Sequence, residues 1–285
     1  MTFDIRNIAV LGAGAMGNGI AQVSAQAGYQ VIMQDITEEA LEKGMDTIKK
    51  SLSKLASKGK IAADEVDAII GRITTTVNLE EAAKDADLVI EAVPEVLELK
   101  IDIYKRLDEV CKPEAIFGSN TSTLPITILG AATKRPEQVC GIHFMNPVPV
   151  MPGVELIKGR LTSDEVMDEA VKYVEKIGRE ACLAVDYAGF IVSRLLDVVQ
   201  NEACKLVMEG NEPEEIDKAM KLCANWPIGP CALMDLVGLD IVEHGLGTLE
   251  NDLGPAYKAA PLLRQMVRAG ELGRKTGRGF YTYNK

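Results

Sequence analysis

The stretch Asn7–Asp35, NIAVLGAGAMGNGIAQVSAQAGYQVIMQD, limits the fold more than any other part of the chain. Its apolar run Ile8-Ala9-Val10-Leu11 reads as a strand buried on both faces, the kind found inside a parallel sheet. Gly12-Ala13-Gly14-Ala15-Met16-Gly17 follows at once, in the pattern G-x-G-x-x-G. A helical periodicity runs on through Ile20, Val23 and Ala27, and Gly28 closes it. A second apolar run, Val31-Ile32-Met33, leads to Asp35. Gly12 suits a tight turn, Gly14 the approach of a pyrophosphate, and Gly17 the close packing of helix on strand. The helix start, at Ala15 and Met16, offers unpaired N–H groups and a partial positive charge. Asp35, 18 residues beyond Gly17, suits both hydroxyls of an adenosine ribose. The unit is expected to bind a dinucleotide. The alternative is a glycine-rich turn that only packs.

Strand and helix signals alternate as far as about residue 185. A long helical segment starts at Thr37-Glu38-Glu39 and runs to about Lys58. Strands are expected at Ile73–Thr76, at Asp87–Val93, at Ala115–Phe117, at Val139–Ile142, at Val154–Ile157 and at Ala181–Val185. Helices are expected up to about Val110 and over Asp164–Ile177. The polar cluster Ser119-Asn120-Thr121-Ser122-Thr123 falls at a strand's carboxyl end, where open parallel sheets bind ligands. From Phe190 the pattern is helical only, with a first apolar stripe at Ile191, Leu195, Val198/Val199 and Val207. The fold class is therefore α/β: a Rossmann-type, mostly parallel sheet domain over residues 1–185, then an all-α domain over 186–285.

Composition excludes several classes. A net charge of −11 argues against nucleic acid as a partner. The start MTFDIRN has no apolar core of a leader, and no run of 18 apolar residues occurs, which argues against secretion and a membrane span. The six cysteines are scattered without a C-x-x-C pair. They read as reduced, mostly packed thiols of a cytoplasmic protein, with no metal site. In so acidic a chain, an anionic ligand needs a local basic patch. Lys50, Lys54 and Lys58 recur every four residues and share one helix face. Spacing alone favours a solvated face; the other reading is a cationic strip for a phosphorylated ligand.

His143 and His244 are the two histidines. His143 ends a predicted strand with Asn146 close by, and Glu155 follows on the next. A strand–turn–strand could bring the pair together. A carboxylate beside an imidazole stabilises its protonated form and fixes the ring. Such a pair serves as base for an alcohol and as acid in reverse. An isolated histidine would read as packed core; beside a dinucleotide fold, catalysis is favoured. His244 reads as structural or surface.

Taken together, GAGAMGNGIAQ, S-N-T-S-T, H-F-M-N-P-V-P-V-M, V-E-L-I, G-F-I-V-S-R-L-L and the closing G-R-K-T-G-R-G-F-Y resemble the short-chain L-3-hydroxyacyl-CoA dehydrogenases, in order and over essentially the whole chain. The resemblance implies NAD as cofactor and an acyl-CoA substrate such as acetoacetyl-CoA or 3-hydroxybutyryl-CoA. It implies His143 as base, Glu155 as its partner, and Ser122 on the substrate's 3-oxygen. Glu95, Lys100, Asn146 and Lys275 match cofactor-side residues, and Ser51 and Lys58 match coenzyme A contacts. That raises the cationic-strip reading, with Lys54, above the solvated face. The helical domain would form a homodimer interface. Asp35, with only Ile36 and Thr37 after it, makes NADP the less favoured cofactor.

Two positions depart from the family pattern. Ser193 stands where an Asn near the substrate is usual, and Met151-Pro152-Gly153 replaces the usual M-K-L before Val154-Glu155. The second change is expected to bear on the turn that sets the His–Glu geometry. Two rival readings stay open here: an oxidoreductase for a free 3-hydroxy acid, which would not need the lysines, and a non-catalytic dinucleotide-binding protein, against which His143 and Glu155 argue.

Overall fold

The computed structural model describes residues 4–283. Two compact units are present. The first runs through Thr121 and takes up again over Pro125–Asp186; the second holds Ser122–Leu124 and the residues from Tyr187 on. Met1–Phe3 of the N-terminal stretch lie outside the described residues.

The first unit is built on eight strands: β1 (Asn7–Leu11), β2 (Gln30–Gln34), β3 (Ile73–Thr76), β4 (Leu88–Glu91), β5 (Ile116–Ser119), β6 (Val139–Phe144), β7 (Gly153–Lys158) and β8 (Glu180–Val185). They form one sheet in the order β3-β2-β1-β4-β5-β6-β7-β8. All neighbours are parallel except β6 and β7. Only residues 145–152 join those two strands, too few for the crossover a parallel pair needs. Among the described residues of this unit, seven α-helices are present: α1 (Ala15–Gln26), α2 (Glu38–Ser57), α3 (Glu65–Ile70), α4 (Leu79–Ala83), α5 (Leu97–Val110), α6 (Ile126–Ala131) and α7 (Asp164–Lys176).

Ile8, Val10, Val31, Met33, Leu88 and Ile90 are buried in the sheet's core, and Ile20 and Val23 of α1 pack into the same cluster. Each of these apolar strands lacks a solvent face, so its sequence need not alternate. Strand order reverses between β1 and β4, and the glycine turn sits at that switch point. Gly12 has φ +100° and packs so close that a Cβ would lie 2.5 Å from the Ala92 carbonyl oxygen. A Cβ on Gly17 would overlap the Gly12 carbonyl oxygen. Turn and packing therefore each exclude a side chain. Tyr173 of α7 is buried with its hydroxyl 2.8 Å from Ser24 Oγ of α1, which satisfies both groups.

α3, α4 and α6 were not legible as helices. They span only six, five and six residues, too short to show a 3.6-residue period. The starts of α4 and α6 are held by side chains instead. Asn78 Oδ1 accepts from Glu81 N at the start of α4, and Asp186 accepts from Ile126 N and Thr127 N at the start of α6.

The second unit contains α8 (Val192–Met208), α9 (Pro213–Cys223), α10 (Pro230–Val237), α11 (Leu239–Leu253) and α12 (Pro261–Arg268). Cys204, Met234, Leu239, Leu246 and Leu263 lie in its core. Asp217 accepts from Cys231 N and Ala232 N at the start of α10. Asp235 accepts from Phe280 N and Tyr281 N and so pins the closing segment. The apolar stripe of α8 behaves unexpectedly. Ile191, Leu195 and Val198 are exposed, whereas Asp197, Gln200 and Asn201 are buried. Asn201 accounts for part of this inversion: it accepts from Ala260 N and donates to the Lys258 carbonyl.

Candidate active site

The carboxyl ends of β1, β2, β4, β5 and β6 share one edge of the sheet, because these strands are parallel. Asp35, Asn120 and His143, singled out in the sequence at strand ends, therefore land on that edge.

At the end of β1, α1 begins with Gly14 as its N-cap and has no side-chain cap. Its first N–H groups are thus available to an external acceptor. A Cβ built on Gly14 would meet nothing within 4 Å, so open space lies over the turn where a pyrophosphate would approach. Ala15 and Met16 form the first turn of α1. Asp35 follows β2, and its Oδ2 accepts from Ala13 N at 2.7 Å while Oδ1 accepts from Ile36 N at 2.7 Å. These bonds brace the carboxylate beside the glycine turn. The residues present fit a dinucleotide.

At the ends of β4 and β5 lies a buried ionic network. Glu91 is 0% exposed; its Oε1 accepts from Lys100 Nζ at 2.6 Å and from Val93 N at 2.9 Å, and its Oε2 accepts from Ser119 Oγ at 2.8 Å. Lys100, 1% exposed, also pairs with Glu95 at 3.1 Å. Thr121 Oγ1 donates to Glu95. Lys100 and Glu95 are thus brought together, and Lys100 is enclosed between two carboxylates. Buried charges are tolerated only when paired in this way. Glu91 was not picked out beforehand, and Ser119 only as the first residue of the polar cluster. The available signal was a carboxylate ending an otherwise apolar strand.

At the end of β6, His143 faces Glu155 of β7 in the antiparallel register. His143 Nδ1 lies 2.8 Å from Glu155 Oε2, and both side chains are buried, at 8% and 2% exposure. Since the acceptor is a carboxylate, Nδ1 is the donor. Asn120 Oδ1 accepts from Phe144 N at 2.9 Å, which ties the polar cluster after β5 to the strand that carries His143. The Met151-Pro152-Gly153 departure leaves this register in place. Gly153 opens β7, and the Pro152 carbonyl accepts from Glu180 N.

A cleft of 1440 Å³ lies within the first unit. Ala13, Gly14, Asp35 and Asn146 line it, and so do Ser51, Lys54 and Lys58 of the α2 segment. The lysine face thus lines this cleft, with Lys54 and Lys58 exposed. Ser122 and Ser193 belong to the second unit, Ser193 in the first turn of α8. Lys275 lies there too, with Nζ 2.7 Å from Asp240 Oδ2. His244 is exposed on α11.

Residues 7–187 match the family described as 3-hydroxyacyl-CoA dehydrogenase, NAD binding domain, and residues 189–283 match 3-hydroxyacyl-CoA dehydrogenase, C-terminal domain. A probable 3-hydroxybutyryl-CoA dehydrogenase of Bacillus subtilis is 47% identical over 284 residues, covering 99% of each chain. A 3-hydroxybutyryl-CoA dehydrogenase of Clostridioides difficile is 44% identical over 280 residues, covering 98% of this chain and 99% of its own. The crystal structure of (S)-3-hydroxybutyryl-CoA dehydrogenase from Ralstonia eutropha superposes with a TM-score of 0.94 at 42% identity, over 99% of this chain and 100% of that one. Sheet order, glycine turn and matched domains agree, and the chain is an oxidoreductase that belongs to the 3-hydroxyacyl-CoA dehydrogenase family, its first unit being that family's NAD-binding domain.

Proposed function

We propose that the chain interconverts (S)-3-hydroxybutyryl-CoA and acetoacetyl-CoA, and acts more broadly on short-chain 3-hydroxyacyl thioesters of coenzyme A, in the cytoplasm. The buried His143–Glu155 pair at the ligand-binding edge of the sheet carries this reading. The names of the Bacillus and Ralstonia relatives support the choice of acyl group.

When bound, NAD would supply the hydride acceptor in one direction and the hydride donor in the other. Gly12, Gly14, Ala15, Met16 and Gly17 would hold its pyrophosphate and Asp35 its adenosine ribose. Glu95, Lys100, Asn146 and Lys275 are assigned to the cofactor side. With Nδ1–H held by Glu155, His143 exchanges protons through Nε2. In oxidation it takes the hydroxyl proton, and Glu155 stabilises the resulting imidazolium. In reduction the imidazolium returns that proton to the 3-oxygen. Ser122 donates a hydrogen bond to the same oxygen, and Ser193 lies on the substrate side. Ser51, Lys54 and Lys58 take the coenzyme A moiety.

Initial rates decide this reading. Acetoacetyl-CoA with NADH is expected to turn over, while free acetoacetate is not. Equal kcat/KM for the thioester and the free acid would overturn it.

A further inference from the structure

The charge distribution in the 1440 Å³ cleft is more one-sided than catalysis at His143 requires. One wall is the face of α2 that carries Lys43, Lys50 and Lys54, continued by Lys58 and Lys60. The floor is the outer face of α1 at Gln22 and Gln26. The opposite wall is the end of α7 and the turn after it, where Lys176 and Arg179 line the same space. Asp35 is the one carboxylate among the lining residues. In a chain of net charge −11 with 31 lysines and arginines, Lys43, Lys50, Lys54, Lys58, Lys60, Lys176 and Arg179 thus line a single concavity.

None of these cations lies within 4.0 Å of a carboxylate among the described residues. Elsewhere in the same unit, Lys100, Arg106, Lys112, Arg135, Lys158 and Lys172 form ion pairs, while among the described residues Lys49, Arg72, Lys84, Lys105, Lys134 and Arg160 form none. Cations facing each other across a cleft without counter-charges repel, and they raise the local concentration of anions. The far wall is also built, not merely exposed. Arg179 Nη2 donates to the Pro149 carbonyl at 3.0 Å and to the Val148 carbonyl at 3.4 Å, and Nη1 donates to the Gly178 carbonyl at 3.2 Å. Its Nε is buried with no hydrogen-bond partner. Lys176 Nζ stands 4.1 Å from the centroid of the Tyr29 ring, which fixes its direction.

We propose that Lys176 and Arg179 form a second phosphate-binding wall, meeting the phosphates of the 3′-phosphoadenosine half of coenzyme A from the side opposite Lys54 and Lys58. This rests on the coenzyme A reading above. That nucleotide carries about four negative charges, spread over a 3′-phosphate and a pyrophosphate that cations on one wall alone do not surround. A two-sided grip far from C3 adds binding equally to ground and transition states, so it lowers KM and leaves kcat alone.

The test measures dissociation constants of coenzyme A, 3′-dephospho-coenzyme A and pantetheine by titration calorimetry at low ionic strength. Wild type, Lys176→Gln, Arg179→Lys and the double variant Lys54→Gln/Lys58→Gln are compared. Lys176→Gln is expected to weaken coenzyme A about three- to tenfold and pantetheine not at all. Arg179→Lys keeps the charge, spares the loop at Val148 and Pro149 part of its support, and is expected to give a smaller loss of the same selectivity. A loss confined to coenzyme A assigns the wall to the 3′-phosphate, and a loss shared with the dephospho form assigns it to the pyrophosphate; both support the proposal. Unchanged coenzyme A binding in Lys176→Gln, or an equal loss for pantetheine, overturns it. If only the Lys54/Lys58 variant weakens coenzyme A, the second wall fails and the substrate reading stands. If wild type binds coenzyme A no tighter than pantetheine, both fall.

Discussion

Glu155 lies directly across the antiparallel β6–β7 ladder from His143, with its Oε2 2.8 Å from the imidazole Nδ1. A slip of one residue in this register would turn Glu155 to the opposite face of the sheet. His143→Gln and Glu155→Gln are each expected to lower kcat by about 10²–10⁴-fold, with NADH affinity little changed. Because the pair acts as a unit, the double variant should lose little more than the worse single one. Multiplicative losses in steady-state rates would show that the two residues work separately.

Asp35 is held beside the glycine turn by Ala13 N and Ile36 N, so it cannot easily swing away from a 2′-phosphate. Two like charges about 4 Å apart repel by roughly 4 kcal/mol at an effective dielectric constant near 20. We expect kcat/KM for NADPH to fall at least about a hundredfold below that for NADH. Asp35→Asn should narrow the gap. Comparable efficiencies with both cofactors in the wild type would contradict this.

Asp197 is buried on α8 against Gly245, and burial pushes its carboxyl up to about 7. In the unfolded chain it titrates near 3.9. Between these values the folded state binds more protons than the unfolded one, so stability falls as pH rises from about 4 to 7. Above pH 7 the full penalty is present, at most about 4 kcal/mol for a three-unit shift. Asp197→Asn is expected to flatten this slope and to raise the melting temperature at pH 8 more than at pH 5. Equal changes at both pH values in a thermal-unfolding series would refute it.

Ile191, just before α8, and Leu195 and Val198 of α8 form an exposed apolar row, with Leu195 64% exposed. Positions spaced by four and three residues lie on one helix face. We expect this row to close a two-fold homodimer, in which each residue counts twice. Leu195→Glu should then shift sedimentation toward the monomer by several kcal/mol of lost burial and added repulsion. A sedimentation profile identical to wild type at micromolar concentration would move the interface elsewhere.

Ser193 has a shorter reach than the Asn usual at its position, and a water can bridge the difference. Ser193→Asn is expected to change kcat/KM by no more than about tenfold, the value of one neutral hydrogen bond. A change of several hundredfold, with a new ranking of acyl chain lengths, would mean the pocket is built for another substrate.

The α/β sheet followed by helices was legible because its signals are local. An apolar run, a turn that tolerates no side chain at Gly12, and an acid at the next strand's end are written within Asn7–Asp35. His143 and Glu155 were legible as candidates for a similar reason: twelve residues separate them, and two strands with a short link have few ways to pair. The antiparallel register that sets them opposite one another came only from the tertiary structure. So did the enclosure of Lys100 between Glu91 and Glu95, since those partners sit on different elements. The row Ile191, Leu195 and Val198 reads in sequence as a core-facing stripe, yet it lies outside, because Asn201 and Asp197 on the other face are buried against α11 and the chain before α12. Lys176 and Arg179 carry no motif at all. Only the packing of α7 beside α1 brings them across from α2, and long-range electrostatics depends on where charges meet in space, which spacing along the chain does not encode.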